Sequence, residues 1–112
     1  MIENFTTPVL ENTGKLPLTK PLFYDDALVF KQLQSNCISI LGNKTTHGLT
    51  IRFYGFPYMG IWSTKGADFI CIEPWCGIAD SVTANGNLED KEGINSLTPA
   101  QIFERTWSAE LF

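Results

Sequence analysis

Hydrophobic and polar residues alternate with a period of two along several short segments of the chain. Residues 37–41 place Ile38 and Ile40 on one face, and residues 49–54 alternate in the same way. Glycine and asparagine at 42–44 are typical of a turn between the two segments. A period of two indicates strands with one buried face, so this part of the chain predicts an antiparallel β-hairpin.

Further apolar segments predict more strands. Residues 56–63 form one, and residues 67–75 form the most hydrophobic of all. Residues 103–111 alternate as a half-buried strand, for which we expect Trp107 to lie in the core. Residues 26–33 are ambiguous, because their apolar residues favour a strand while the acidic pair before them suits the start of a short helix.

Turn-forming residues dominate the rest of the chain. Residues 1–24 predict an extended arm with at most one short strand, and residues 76–98 carry turn signals throughout. The sequence contains no helical pattern of ten or more residues. The expected fold is therefore an all-β, mostly antiparallel β-sandwich, a single piece over residues 1–112 with its strands in residues 25–112.

Composition limits the classes of function. With 112 residues the chain has room for one domain. A net charge of −4 with only eight lysines and arginines makes nucleic acid a poor partner. The sequence contains neither an apolar run long enough for a membrane helix nor a signal peptide at its start. Three cysteines, an odd number, favour free thiols and a cytoplasmic location.

Glu73 is the residue whose position most suggests chemistry. It lies within the most hydrophobic predicted strand and shares a face with Phe69, Cys71 and Trp75. A buried carboxylate needs a partner or takes up a proton, and one that holds a proton near neutral pH suits general acid–base catalysis. The structural alternative is a strand-end glutamate that faces solvent or pairs with an arginine, either Arg52 or Arg105.

Other residues carry weaker signals. Asp80 follows Glu73 by seven positions and could form a pair of carboxylates with it, although an aspartate in a turn more often binds its own backbone. Asp26 has the same ambiguity. Trp62 and Trp75 offer faces on which a sugar ring could stack, but tryptophans in a β-sandwich more often pack in the core.

Metal, cofactor and triad chemistry find little support. His47 is the only histidine and lies in an expected surface loop, which excludes a multi-histidine metal site within the chain. The spacing of Cys71 and Cys76 is not that of common metal sites, and glycine-rich phosphate loops are absent. We therefore expect no metal and no cofactor.

Two segments give the sequence a family resemblance. Residues 56–63 and 69–80 resemble the aldose 1-epimerase (galactose mutarotase) family, specifically its LacX-type branch. Essentially the whole chain is similar to the C-terminal portion of that family. The further segments that fit its pattern are residues 16–18, 22–30, 90–95 and 103–108.

The resemblance implies a fold, an activity and roles for particular residues. The fold would be part of a galactose mutarotase-like supersandwich, and the activity would interconvert the α and β anomers of an aldohexose. Glu73 would take the proton from the anomeric hydroxyl, and Asp26 would bind sugar hydroxyls. The family's acid histidine and its substrate-binding arginine lie upstream of the matched portion, and His47 does not match that histidine. Gly60 stands where galactose mutarotases place a substrate-contacting glutamine.

Three interpretations remain open from the sequence. In the first, the chain carries the base of an epimerase but lacks its acid, and it associates with itself or with a companion that supplies the N-terminal half. In the second, it is a non-catalytic carbohydrate-binding module with Trp62 and Trp75 as its binding platform. In the third, it is a truncated product or trimmed fragment without a role of its own.

Overall fold

The computed structural model describes residues 14–112 and shows an all-β chain, as the alternation predicts. Residues 1–13, where most of the expected arm falls, lie outside the described residues. No helix within residues 14–112 is long and apolar enough to span a membrane. The strands are β1 Leu28–Lys31, β2 Cys37–Leu41, β3 Gly48–Arg52, β4 Tyr58–Trp62, β5 Cys71–Trp75 and β6 Ser108–Leu111, with short 3-10 helices at Lys20–Phe23 and Leu88–Asp90.

The strands form two three-stranded antiparallel sheets. Sheet I has the order β1-β4-β5, and sheet II has the order β2-β3-β6. The predicted hairpin is confirmed, since β2 pairs with β3 along its whole length. The ambiguous segment is a strand, because Leu28–Lys31 pairs residue for residue with β4.

An apolar cluster of described residues joins the two sheets. Met59 and Ile61 contribute from β4, Ile51 from β3 and Phe53 from the residue just after it, and Phe23 packs in from the 3-10 helix. Met59 is completely buried. Because one cluster draws on both sheets, the sheets pack face to face, which is the β-sandwich that the sequence predicts.

The strand expected over residues 67–75 begins later, at Cys71. The residues before it form a turn, in which the backbone N–H of Ala67 donates to the carbonyl of Thr64 at 3.1 Å. Gly66 has a φ of +74° in that turn, a conformation that glycine adopts without strain. Local turn chemistry therefore overrides the hydrophobic pattern in the first four positions.

The prediction for the C-terminal strand is wrong in its length and its burial. Only Ser108–Leu111 pairs with β3, and Trp107 is 57% exposed rather than buried. Arg105 explains the late start, since its Nε donates to the carbonyl of Gly55 at 2.9 Å and its guanidinium lies 4.4 Å from the centre of the Phe103 ring. All four β6 residues are exposed within the described structure, so alternation here marks no buried face.

Candidate functional site

The candidate site lies on the face of sheet I that points away from the core. Met59 and Ile61 point into the core, so the alternation of a strand places Gly60 and Trp62 on the opposite face of β4. Glu73 pairs with Gly60 across the β4–β5 ladder and therefore shares that outer face. The predicted strand thus carries Glu73 to a half-buried surface rather than into the interior.

Two indole rings contact the Glu73 carboxylate. Trp62 Nε1 donates to Oε1 at 2.5 Å, and Trp75 Nε1 donates to Oε2 at 3.2 Å. Each oxygen therefore accepts one hydrogen bond from a neutral donor. An ionised carboxylate has about four lone-pair sites, so both oxygens keep capacity for another hydrogen bond or for a proton.

The strand register and one ring contact explain how the two indoles reach the carboxylate. Trp62 lies two residues along β4 from Gly60, the cross-strand partner of Glu73, and a long aromatic side chain spans this diagonal distance. Phe69 packs edge-on against Trp62, with ring centroids 6.1 Å apart and planes at 84°. Trp75 follows Glu73 by two positions and so lies on the same face of β5.

Gly60 provides the space for the Trp75 ring. A Cβ atom at this position would lie 2.5 Å from Cζ2 and 2.9 Å from Cε2 of Trp75, closer than real side chains approach. The indole therefore lies directly over the glycine backbone. The absence of a side chain at residue 60 allows the ring to sit beside Glu73.

Neither arginine considered as a partner for Glu73 binds it. Arg52 Nη1 donates to Glu110 at 3.2 Å in sheet II, and Arg105 donates to the backbone carbonyls of Gly55 and Glu104. Glu73 is in no ion pair that the structure shows among residues 14–112. Its partners in the described part of the chain are neutral donors.

The structure does not bring Asp26 into contact with Glu73. Its side chain is exposed, and Oδ1 accepts a hydrogen bond from the backbone N–H of the next residue, Ala27, at 2.7 Å. Asp26 precedes β1, which lies on the opposite side of β4 from β5. This contact is the backbone interaction that is typical of an aspartate in a turn. A role for Asp26 in binding sugar hydroxyls stays a prediction.

Asp80 and His47 also lie apart from the indoles. Asp80 forms an ion pair with Lys91, with 2.6 Å between Oδ1 and Nζ. The pair lies at a cavity of about 310 Å³ that is lined by residues between 79 and 92. His47 is exposed in the loop between β2 and β3, in the other sheet. Neither residue shares the outer face of β4 and β5 with Glu73.

The three cysteines are free, and within residues 14–112 no group of three histidine, cysteine or acidic side chains lies close enough together to hold a metal ion. Cys71 and Cys76 are both half-buried. The chemistry that the described residues bring together is therefore that of one carboxylate beside aromatic rings.

An ion pair between Lys20 and Asp68 links the 3-10 helix at Lys20–Phe23 to the turn that leads into β5. Lys20 Nζ lies 2.7 Å from Asp68 Oδ1, and this hydrogen bond and charge hold the pKa of Asp68 below its ordinary value. The same contact raises the pKa of Lys20. Both side chains are solvent-exposed, so the pair positions a surface turn rather than a catalytic group.

The sequence pattern places Trp62 and Trp75 near Glu73 but does not show that both donate their N–H groups to it. Their expected role as a platform for a sugar ring stays a prediction. The signal that could have revealed these hydrogen bonds is the alternation itself, which puts Glu73 and Trp75 on one face of β5. The partner on β4 depends on the register, which the sequence does not state.

Comparison with known proteins finds two relatives, both from Lactococcus lactis subsp. lactis. The chain is 33% identical over 102 residues to protein LacX encoded on the chromosome, and equally to protein LacX encoded on a plasmid. Each match covers 90% of this chain and 34% of the relative. The chain is therefore homologous to LacX proteins and spans about a third of their length. No protein-family model and no solved structure matches it.

Proposed function

We propose that this chain carries the base-bearing part of an aldose 1-epimerase site, with Glu73 as the general base. The observation that supports this most is the state of the Glu73 carboxylate, which is half-buried, bound by two neutral indole donors and free of any cation in the described structure. Homology to LacX proteins supports a carbohydrate-related role over nine-tenths of the chain.

The proposed reaction moves two protons and breaks one bond. Glu73 takes the proton of the anomeric hydroxyl while an acid protonates the ring oxygen, and the bond between C1 and that oxygen breaks to give the open-chain aldehyde. C1 then rotates and the ring closes on its other face. The acid recovers its proton, and Glu73 returns its own to the new anomeric hydroxyl, so no cofactor is consumed.

The acid is proposed to come from outside the residues described here. His47 lies in the loop of sheet II, away from the outer face of sheet I that carries Glu73. The family resemblance assigns the acid to a histidine upstream of the matched portion. We propose that a segment upstream of the matched portion, a companion polypeptide or a second copy of the chain brings such a group to Glu73, while Asp26 would bind sugar hydroxyls.

A carbohydrate-binding module without catalysis is the second candidate. The observation that favours it is the presence of two half-buried indole rings, Trp62 and Trp75, on one exposed sheet face, because sugar rings stack well on such surfaces. In this case Glu73 would accept hydrogen bonds from sugar hydroxyls without removing a proton. Binding of the sugar would then be unaccompanied by any change in its rate of anomerisation.

Polarimetry of freshly dissolved α-glucose and α-galactose tests the proposal. We expect the chain to accelerate mutarotation above the buffer rate, but to a limited extent, because the described residues place no acid beside Glu73 and one positioned acid or base contributes roughly 10²- to 10⁴-fold. Glu73→Gln should remove the acceleration, because the amide cannot take up the proton. Titration with the same sugars, followed by tryptophan fluorescence, measures binding separately.

Two results would contradict the proposal. Acceleration that survives Glu73→Gln would exclude Glu73 as the base. Saturable sugar binding without acceleration would favour the binding module.

A further inference from the structure

We propose that Trp62 and Trp75 are positioning residues for Glu73, and that Gly60 is the position that admits one of them. This inference deepens the proposed function and rests on it, because it states how the base is held. It replaces the interpretation of the two tryptophans as a stacking platform.

The two indoles hold the Glu73 carboxylate with one hydrogen bond to each oxygen. We call this pair of hydrogen bonds from Trp62 and Trp75 the clamp. Trp62 Nε1 meets one oxygen of Glu73 at 2.5 Å, and Trp75 Nε1 meets the other at 3.2 Å. Two bonds to two different oxygens fix both the position and the rotation of a planar group, which a single bond would leave free. Bonds from N–H groups to an ionised oxygen are also stronger than those between neutral groups.

Neutral donors suit a base better than a cation would. An arginine in the same place would form a bidentate ion pair and occupy the carboxylate with a full positive charge. Indole N–H groups satisfy one lone pair on each oxygen and leave the others for the hydroxyl of a sugar. The arginines of the described structure are both engaged elsewhere, Arg52 with Glu110 and Arg105 with the Gly55 carbonyl.

Each ring is itself held in place by a neighbour. Phe69 contacts Trp62 edge-on at 6.1 Å between centroids, and the Trp75 ring covers Gly60 so closely that any side chain there would collide with it. Gly60 is buried although it lies on the outer face of the sheet, because the indole covers it. Glycine at residue 60 therefore leaves the space that Trp75 needs to reach Glu73.

Nuclear magnetic resonance of the ¹⁵N-labelled full chain tests the clamp without any assay of activity. The chain has three indole N–H groups, and that of Trp107, which is 57% exposed, serves as an internal control. We expect the Trp62 and Trp75 protons to resonate downfield of the Trp107 proton and to exchange more slowly with deuterium. Glu73→Gln should shift both, since the amide is uncharged and offers only one acceptor oxygen, and should leave Trp107 unchanged.

Gly60→Ala provides a second variant in which the carboxylate remains. We expect it to shift the Trp75 indole signal and to move the Trp62 signal much less, because only the former ring occupies the space of the new methyl group. Gly77→Ala is the matched control, since a Cβ there would meet nothing closer than 3.8 Å. Backbone amide spectra show that each variant retains the fold.

Kinetics then separate positioning from stacking. Phenylalanine keeps a flat ring but lacks the N–H group, so Trp62→Phe and Trp75→Phe should lower kcat for mutarotation by roughly 10- to 100-fold with little change in KM. A stacking platform would keep its kcat in both variants and show any loss in KM.

The outcomes distinguish this inference from the proposed function. If the indole N–H chemical shifts are unchanged in both Glu73→Gln and Gly60→Ala, the clamp is overturned, whatever the activity of the chain. Indole signals that respond to both, in a chain that never accelerates mutarotation, would support the clamp and count against the epimerase proposal.

Discussion

Each of the two sheets has an edge strand that carries one glutamate, and the two strands differ in burial. Strand β5 pairs on one side with β4, and β6 pairs on one side with β3. Each carries one glutamate, Glu73 on β5 and Glu110 on β6. All five β5 residues are half-buried, whereas all four β6 residues are exposed.

The difference arises from the aromatic residues around each strand. On β5, Trp75 folds back over Gly60 and Trp62 reaches across the ladder, so the outer face of the sheet is partly covered. On β6, Leu111 remains 81% exposed, and Glu110 meets Arg52 in solvent. The glutamate of one edge strand is therefore half-buried and bound by two indoles, whereas the glutamate of the other forms an ordinary surface ion pair.

Truncating an apolar side chain on each strand should give the largest contrast in stability. Ile72 packs against the central cluster from β5, so Ile72→Ala should lower the free energy of unfolding by about 2 kcal/mol. Leu111→Ala on β6 should change it by less than about 0.5 kcal/mol, because that side chain is already solvated. Urea denaturation measures both, and equal losses would show that β6 is covered in solution.

The ion pair on β6 should matter less. Its side chains are 47% exposed at Arg52 and 67% exposed at Glu110, so Glu110→Gln should lower the free energy of unfolding by at most about 1 kcal/mol. Salt should reduce the difference further, because exposed charges are screened. Urea titrations at low and high salt check this, with Arg52→Met as the matched control. A large, salt-independent loss would mean that β6 is shielded from solvent.

The smallest effect is expected at the turn before β5. The pKa of Asp68 is lowered in the folded protein by Lys20, so the stability that this pair supplies is present above the unfolded value of 3.8 and is lost as the pH falls. The difference in unfolding free energy between the protein and Asp68→Asn should therefore shrink below about pH 4. Paired urea titrations across this range measure it, and Lys20→Met should remove the pH dependence. A difference that grows on acidification would contradict the assignment.

Much of the fold follows from the sequence because strand alternation is a local property. Ile38 and Ile40 on one face of β2, and the antiparallel turn into β3, follow from residue spacing alone, and the structure confirms the hairpin. The face shared by Cys71, Glu73 and Trp75 follows in the same way. These features need no knowledge of what packs against the strand.

The features that the sequence did not predict depend on contacts between residues far apart in the chain. Trp107 alternates like a core residue, yet the strand begins only after it, because Arg105 binds the Gly55 carbonyl fifty residues away. The hydrogen bond from Trp62 to Glu73 likewise depends on the β4–β5 register, which no local pattern specifies. Alternation reports which residues share a face, and only the structure reports whether that face is covered.

A comparison of the two glutamates in one reaction tests whether Glu73 is the base. Mutarotation of α-glucose and α-galactose is followed by polarimetry for the unchanged chain, for Glu73→Gln and for Glu110→Gln at equal concentrations of folded protein. We expect the rate above buffer to disappear in Glu73→Gln and to be preserved in Glu110→Gln. Equal rates in the two variants, whether both are retained or both are lost, would contradict a special role for the carboxylate on β5.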